Sequence, residues 1–152
     1  MMKAELSRRA FVAGAGIGLL AAAIAPHAVF GDEKAVEAEL QKLFAGKAMA
    51  EGRIKLDVPQ IAENGLVVPL NIEVESPMSA DNYVKAVHIF AEGNPLPQVI
   101  TYRFSPQSGR AAASTRIRLA KTQNILAVAE MSDGTLHTAK AEVKVTIGGC
   151  GG

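Results

Sequence analysis

The period of the hydrophobic pattern changes once along this chain. Between Asp32 and Ala45 the apolar residues Val36, Leu40, Leu43 and Phe44 recur at helical spacing, with Asp32 and Glu33 at the start and Gly46 as the stop. That arrangement predicts one amphipathic helix. Beyond Gly46 the period falls to two. Val68, Leu70, Ile72 and Val74 share one strand face, with Asn71 and Glu73 on the other. Ile100, Tyr102 and Phe104 alternate with Thr101 and Arg103, and Ile117 and Leu119 with Arg116 and Arg118. The cleanest alternation sets Ala141, Val143, Val145 and Ile147 against Lys140, Glu142, Lys144 and Thr146. Val84–Ala91 and Ile125–Met131 are apolar on both faces and read as central strands; a weaker strand covers Arg53–Val58.

Turn residues separate these runs: Glu63-Asn64-Gly65, Ser76-Pro77, Gly93-Asn94-Pro95, Ser105-Pro106, Ser108-Gly109 and Ser132-Asp133-Gly134. Six or seven short strands behind a single helix predict an all-β domain, an immunoglobulin-like antiparallel β-sandwich with one N-terminal helix. With one cysteine and no tryptophan it lacks the antibody-type disulfide and tryptophan pin. Apolar two-faced strands and a substantial N-terminal helix in so small a domain also lead us to expect that another chain covers part of the apolar surface.

The N-terminal residues do not belong to that domain. Ser7-Arg8-Arg9-Ala10-Phe11 precedes an uncharged run of small and apolar residues from Val12 to Ala25. A basic region, an apolar stretch and small residues make an export signal, and the paired Arg8 and Arg9 indicate the twin-arginine route. The apolar run is shorter than the roughly 20 residues a spanning helix needs. We expect residues 1–31 to be the signal, with cleavage after Val29-Phe30-Gly31 and a product without a membrane span. Removing Lys3, Glu5, Arg8 and Arg9 turns the formal net charge of +1 into −1. The basic footprint of a nucleic-acid binder is missing.

At the other end, Thr146 and Ile147 close the last alternating run and Gly148-Gly149-Cys150-Gly151-Gly152 follows. The chain's one cysteine thus stands among four glycines at its C-terminus. Glycine carries no Cβ and turns freely, so residues 148–152 read as a flexible arm that presents a thiol with little bulk around it. An unpaired cysteine in an oxidising compartment stays reactive, is modified or pairs with another molecule. No cation or helix N-terminus in the arm lowers the thiol pKa from its free value near 8.5. Activation is therefore expected from whichever protein receives the arm.

Other chemistry finds little support. With His27 in the export segment, a metal site would have only His88, His137 and Cys150 to draw on. His88 lies on an apolar strand face and reads as a core or interface residue; His137 follows a turn and reads as a solvated loop residue. Arg103, Arg116 and Arg118 read as a solvated sheet face. There is no nucleophile elbow and no glycine-rich phosphate loop. We expect no metal, no cofactor and no catalytic residue in this chain.

Several segments together carry a resemblance. They are Ser7-Arg8-Arg9, Ile61-Ala62-Glu63-Asn64-Gly65, Ser76-Pro77-Met78, Asn94-Pro95-Leu96-Pro97, Ser114-Thr115-Arg116-Ile117-Arg118, Met131-Ser132-Asp133-Gly134 and the terminal Gly-Gly-Cys-Gly-Gly. The chain resembles the SoxY family, the sulfur-carrier subunits of periplasmic thiosulfate-oxidising systems. The resemblance implies an immunoglobulin-like fold, a periplasmic location and a heterodimer with a SoxZ-like subunit. It implies that Cys150 holds substrate covalently while other proteins act on it. A SoxXA-like haem enzyme would join thiosulfate to the thiol and a SoxB-like manganese hydrolase would release sulfate. A SoxCD-like molybdenum-haem dehydrogenase would, in many systems, oxidise the sulfur that remains. Two alternatives stand beside this reading. One is an exported adhesion or scaffold module that dimerises through Cys150. The other is a ubiquitin-like carrier whose terminal Gly151-Gly152 carboxylate becomes a thiocarboxylate, a chemistry that requires cytoplasmic ATP.

Overall fold

Helix α1 (Glu33–Phe44) forms where the helical spacing predicts it, with Val36 and Phe44 as its buried residues. The computed structural model describes residues 33–149. The export signal with Arg8 and Arg9, the Asp32 start, and Cys150, Gly151 and Gly152 lie outside the described residues. After α1 the described chain runs through β1 (Met49–Glu51), β2 (Ile54–Asp57), β3 (Ile61–Asn64), β4 (Val68–Val74) and β5 (Val84–Ala91). It continues through β6 (Gln98–Arg103), a short 3₁₀ turn, β7 (Ala111–Ile117), β8 (Gln123–Met131) and β9 (Leu136–Ile147).

Among the described residues these strands make two sheets, a larger one in the order β1-β9-β8-β5-β6 and a smaller one in the order β2-β4-β7. Most pairings are antiparallel, but β1 and β3 both join β9 in parallel. The sandwich core lies between the sheets. Val68, Leu70, Ile72 and Val74 of β4 meet Val87, Ile89, Ile125, Ala127, Ala129 and Val143 from the larger sheet. Pro69 is tolerated inside β4 because β2 pairs only as far as Asn71, so at Pro69 only β7 bonds to the strand.

The two-faced strands find both of their covers within the chain. The opposite face of the larger sheet carries a second apolar cluster, in which Val36 and Phe44 of α1 pack on Phe90, Val128 and Leu136, with Leu40, Met49 and Leu126 at its border. The domain therefore has three layers of helix, sheet and sheet. The outer apolar face of β5 and β8 is thus covered by α1, while Ile61, Leu66, Val67, Leu96 and Ile147 stay exposed. Lys140 ties the helix down from β9, bonding Glu92 at 2.6 Å and reaching Glu33 at 3.7 Å.

Some boundaries also differ. β7 begins at Ala111 and ends at Ile117, leaving Leu119 in the following loop although it is fully buried. Ala111-Ala112-Ala113-Ser114 has little β propensity and shows no alternation, so the pattern hides this half of the strand. β9 starts at Leu136, and its early residues pair with Ala129 and Glu130. His137 is thus a strand residue rather than a solvated loop residue. Its Nδ1 is buried with no hydrogen-bond partner among the described residues.

Candidate functional site

The C-terminal arm leaves the fold through backbone rather than side chains. β9 delivers Ile147 to the end of the larger sheet, where parallel pairing sets it opposite Asn64 of β3. Asn64 Oδ1 accepts a hydrogen bond from the Leu66 amide at 2.9 Å, which folds the chain back after β3 and presents Gly65 to the arm. The Gly65 N–H donates to the Ile147 carbonyl at 2.7 Å, and the Gly65 carbonyl accepts from the Leu119 N–H at 2.8 Å. The Leu119 carbonyl then accepts from the Gly149 N–H at 2.9 Å, closing a circuit of four residues on three backbone segments.

Glycine is required there by close approach. A Cβ on Gly148 would stand 2.2 Å from the Ala120 carbonyl oxygen, and one on Gly65 would stand 2.3 Å from the Leu119 oxygen. On Gly149 it would meet the Gly65 oxygen at 2.9 Å. Each obstacle is backbone, which cannot swing aside as a side chain would. Gly149 is buried. Gly149 is thus bonded within the fold, and Gly148, although exposed, lies close against the Ala120 backbone.

The 118–122 loop that receives the arm is itself held by a buried polar pair. Asn94, 1% exposed, donates through Nδ2 to the Arg118 carbonyl at 2.8 Å and accepts through Oδ1 from the Ala120 N–H at 3.0 Å. Gln123 donates to Asn94 Oδ1 at 3.0 Å and to the Lys121 carbonyl at 2.9 Å, while its Oε1 accepts from the Gly93 N–H at 2.7 Å. A second tie comes from Thr122, whose Oγ1 accepts from the Val145 N–H at 2.9 Å. The pattern along the chain marks Asn94 only as part of a turn and leaves Gln123 unremarked. The Asn94-Pro95-Leu96-Pro97 segment singled out Asn94, whose role needed the fold to become visible, and no such segment contains Gln123.

The remaining candidates are dispersed. His88 is buried beside Phe44, with ring centroids 5.3 Å apart, and Thr101 Oγ1 lies 3.1 Å from its Nδ1. Burial holds its pKa below the ordinary histidine value. Arg103 sits on β6 of the larger sheet, Arg116 on β7 of the smaller one and Arg118 beyond it, so they line no single face. No group of three or more His, Cys, Asp or Glu able to hold a metal occurs among the described residues. No helix among them is long and apolar enough to cross a membrane.

Comparison with known proteins adds three findings. The family model described as "Sulfur oxidation protein SoxY" matches residues 40–150, a span that includes Cys150. The structure of the sulfur carrier protein SoxY from Chlorobium limicola f thiosulfatophilum matches at 30% identity and a TM-score of 0.63, covering 75% of this chain and 98% of that one. A superoxide reductase (neelaredoxin) from Ignicoccus hospitalis matches at 17% identity and a TM-score of 0.54, covering 77% and 95%, a similarity of fold alone. No curated protein sequence matches the chain.

Proposed function

Given that the chain belongs to the SoxY family of sulfur oxidation proteins, we propose that it is a periplasmic covalent carrier that holds thiosulfate-derived sulfur on Cys150. The observation that carries this reading is the position of the one cysteine, at the end of the family match and one residue beyond a β9 extension that the fold holds in place. A thiol there stands beside one end of the sandwich, where another protein's active site can receive it.

The chemistry asks little of the carrier. Joining the Cys150 thiolate to the sulfane sulfur of thiosulfate forms one S–S bond and releases two electrons, which a SoxXA-like haem enzyme would accept. Attack of water on the terminal sulfonate sulfur, in a SoxB-like hydrolase, would release sulfate and leave a persulfide on Cys150. A SoxCD-like dehydrogenase would act on that persulfide. Arg8 and Arg9 would direct export before residues 1–31 are removed, and a SoxZ-like subunit would complete a heterodimer. In this reading the chain supplies the sulfur and its positioning, and the partner enzymes supply catalysis.

Cys150→Ser tests the reading. The variant should fold and bind its partner as the parent does, because surface substitutions beyond the core change stability by no more than about 0.5 kcal/mol. Thiosulfate-dependent turnover in a reconstituted system should vanish, and intact mass should show no adduct. Turnover that survives would overturn the carrier role. A parent protein that showed only a doubled mass through a Cys150 disulfide would favour the adhesion module.

A further inference from the structure

We propose that Gly65, Gly148 and Gly149 form a clasp that fixes the point from which the carrier cysteine is presented, with Asn94 and Gln123 holding the seat. The proposal rests on the carrier reading for its purpose but on the backbone geometry for its existence. Three hydrogen bonds of 2.7–2.9 Å link Ile147, Gly65, Leu119 and Gly149, and each glycine meets foreign backbone where a Cβ would stand. A segment selected only for swing would need none of these approaches. Here the glycines do two different jobs. Gly65, Gly148 and Gly149 let three backbones pack against one another, while Gly151 and Gly152 lie past the cysteine.

The consequence is geometric. Consecutive Cα atoms are about 3.8 Å apart, so Cys150 begins one peptide step from a held residue. A receiving enzyme therefore meets the thiol at the end of the sandwich formed by the Gly65 turn and the 118–122 loop, rather than at the tip of a long tether. Holding residues 148 and 149 in advance also removes the entropy that a free arm would lose on entering an active site. Gly65, Gly148 and Gly149 are thus positioning residues that act through Cys150 and take no part in its chemistry.

Amide hydrogen exchange on the isotope-labelled parent protein tests the clasp without any substitution. The Gly149 amide should exchange at least about a hundredfold more slowly than an unstructured chain. Exchange at the unstructured rate would overturn the proposal while leaving the carrier role to the Cys150→Ser experiment. Gly148→Ala then tests function. Its Cβ cannot fit against the Ala120 oxygen, so Gly149 should lose protection while the β4 and β5 amides keep theirs. A nitroxide attached to Cys150 should give a more mobile spectrum in Gly148→Ala than in the parent, and Gly151→Ala should leave it unchanged. The KM of the thiosulfate-joining haem enzyme for the carrier should rise about tenfold with kcat unchanged, and labelling by a small thiol reagent should stay within about twofold. An unchanged KM and spectrum in Gly148→Ala would remove the positioning role.

Discussion

His88 shows how a buried polar residue sets a pH limit on this domain. Only 6% of it is exposed, between Phe44 and Phe90, and burial lowers its pKa from the ordinary 6.5. Gln98 Nε2 donates to Thr101 Oγ1 at 3.0 Å, which frees the Thr101 hydroxyl proton for His88 Nδ1 and suits a neutral ring. The unfolded chain binds this proton more readily than the folded one. Stability should therefore fall as pH drops through about 6.5 and level off below the folded-state pKa. The other shifted groups act outside this window. Glu73 and Asp133, lowered by Arg110 and Thr135, lose their contribution only below ordinary values of 4.5 and 3.8. Lys85 and Lys140, raised by Glu130 and Glu92, lose theirs only above 10.5. Thermal midpoints measured between about pH 7.5 and pH 5 should decline, and His88→Gln should flatten that slope. An equal slope in both proteins would mean that His88 is not the group responsible.

At the scale of elements, α1 has the most to explain. A surface helix over a sheet normally shields one apolar face, and here the shield makes β5 and β8 central in both directions. Phe44 is 5% exposed against Phe90 and His88, so Phe44→Ala should cost about 3–5 kcal/mol in chemical denaturation, from the lost burial together with the cavity left behind. A cost below about 1 kcal/mol would show that the helix is a marginal cover. The apolar periods of α1, β4, β5 and the second half of β9 were readable from the sequence because each element repeats its own face over several residues. β1 and β3 were not. Each is only three or four residues long and is defined by parallel pairing to β9, a distant partner that leaves no local mark.

For the whole molecule, both apolar clusters close within one chain. The isolated protein should therefore unfold in one cooperative, concentration-independent transition under reducing conditions. A midpoint that climbs with protein concentration would instead mean that a second chain completes the core. The heterodimer proposed from family membership thus needs a surface other than the outer face of the larger sheet, which α1 covers.

The leading helix, the long strands behind it, the sandwich class and the lone thiol were determined by the sequence alone. Each depends on local periodicity or on a residue count that no folding can change. The sequence also carried the family resemblance that the comparisons bear out. What only the tertiary structure decided is how the glycines act. Glycine next to cysteine reads as freedom when nothing else is in view, because a missing Cβ always permits more conformations. The same missing Cβ also permits contact, and that meaning appears only when Gly65 and the 119–120 backbone, remote in sequence, are brought against Gly148 and Gly149.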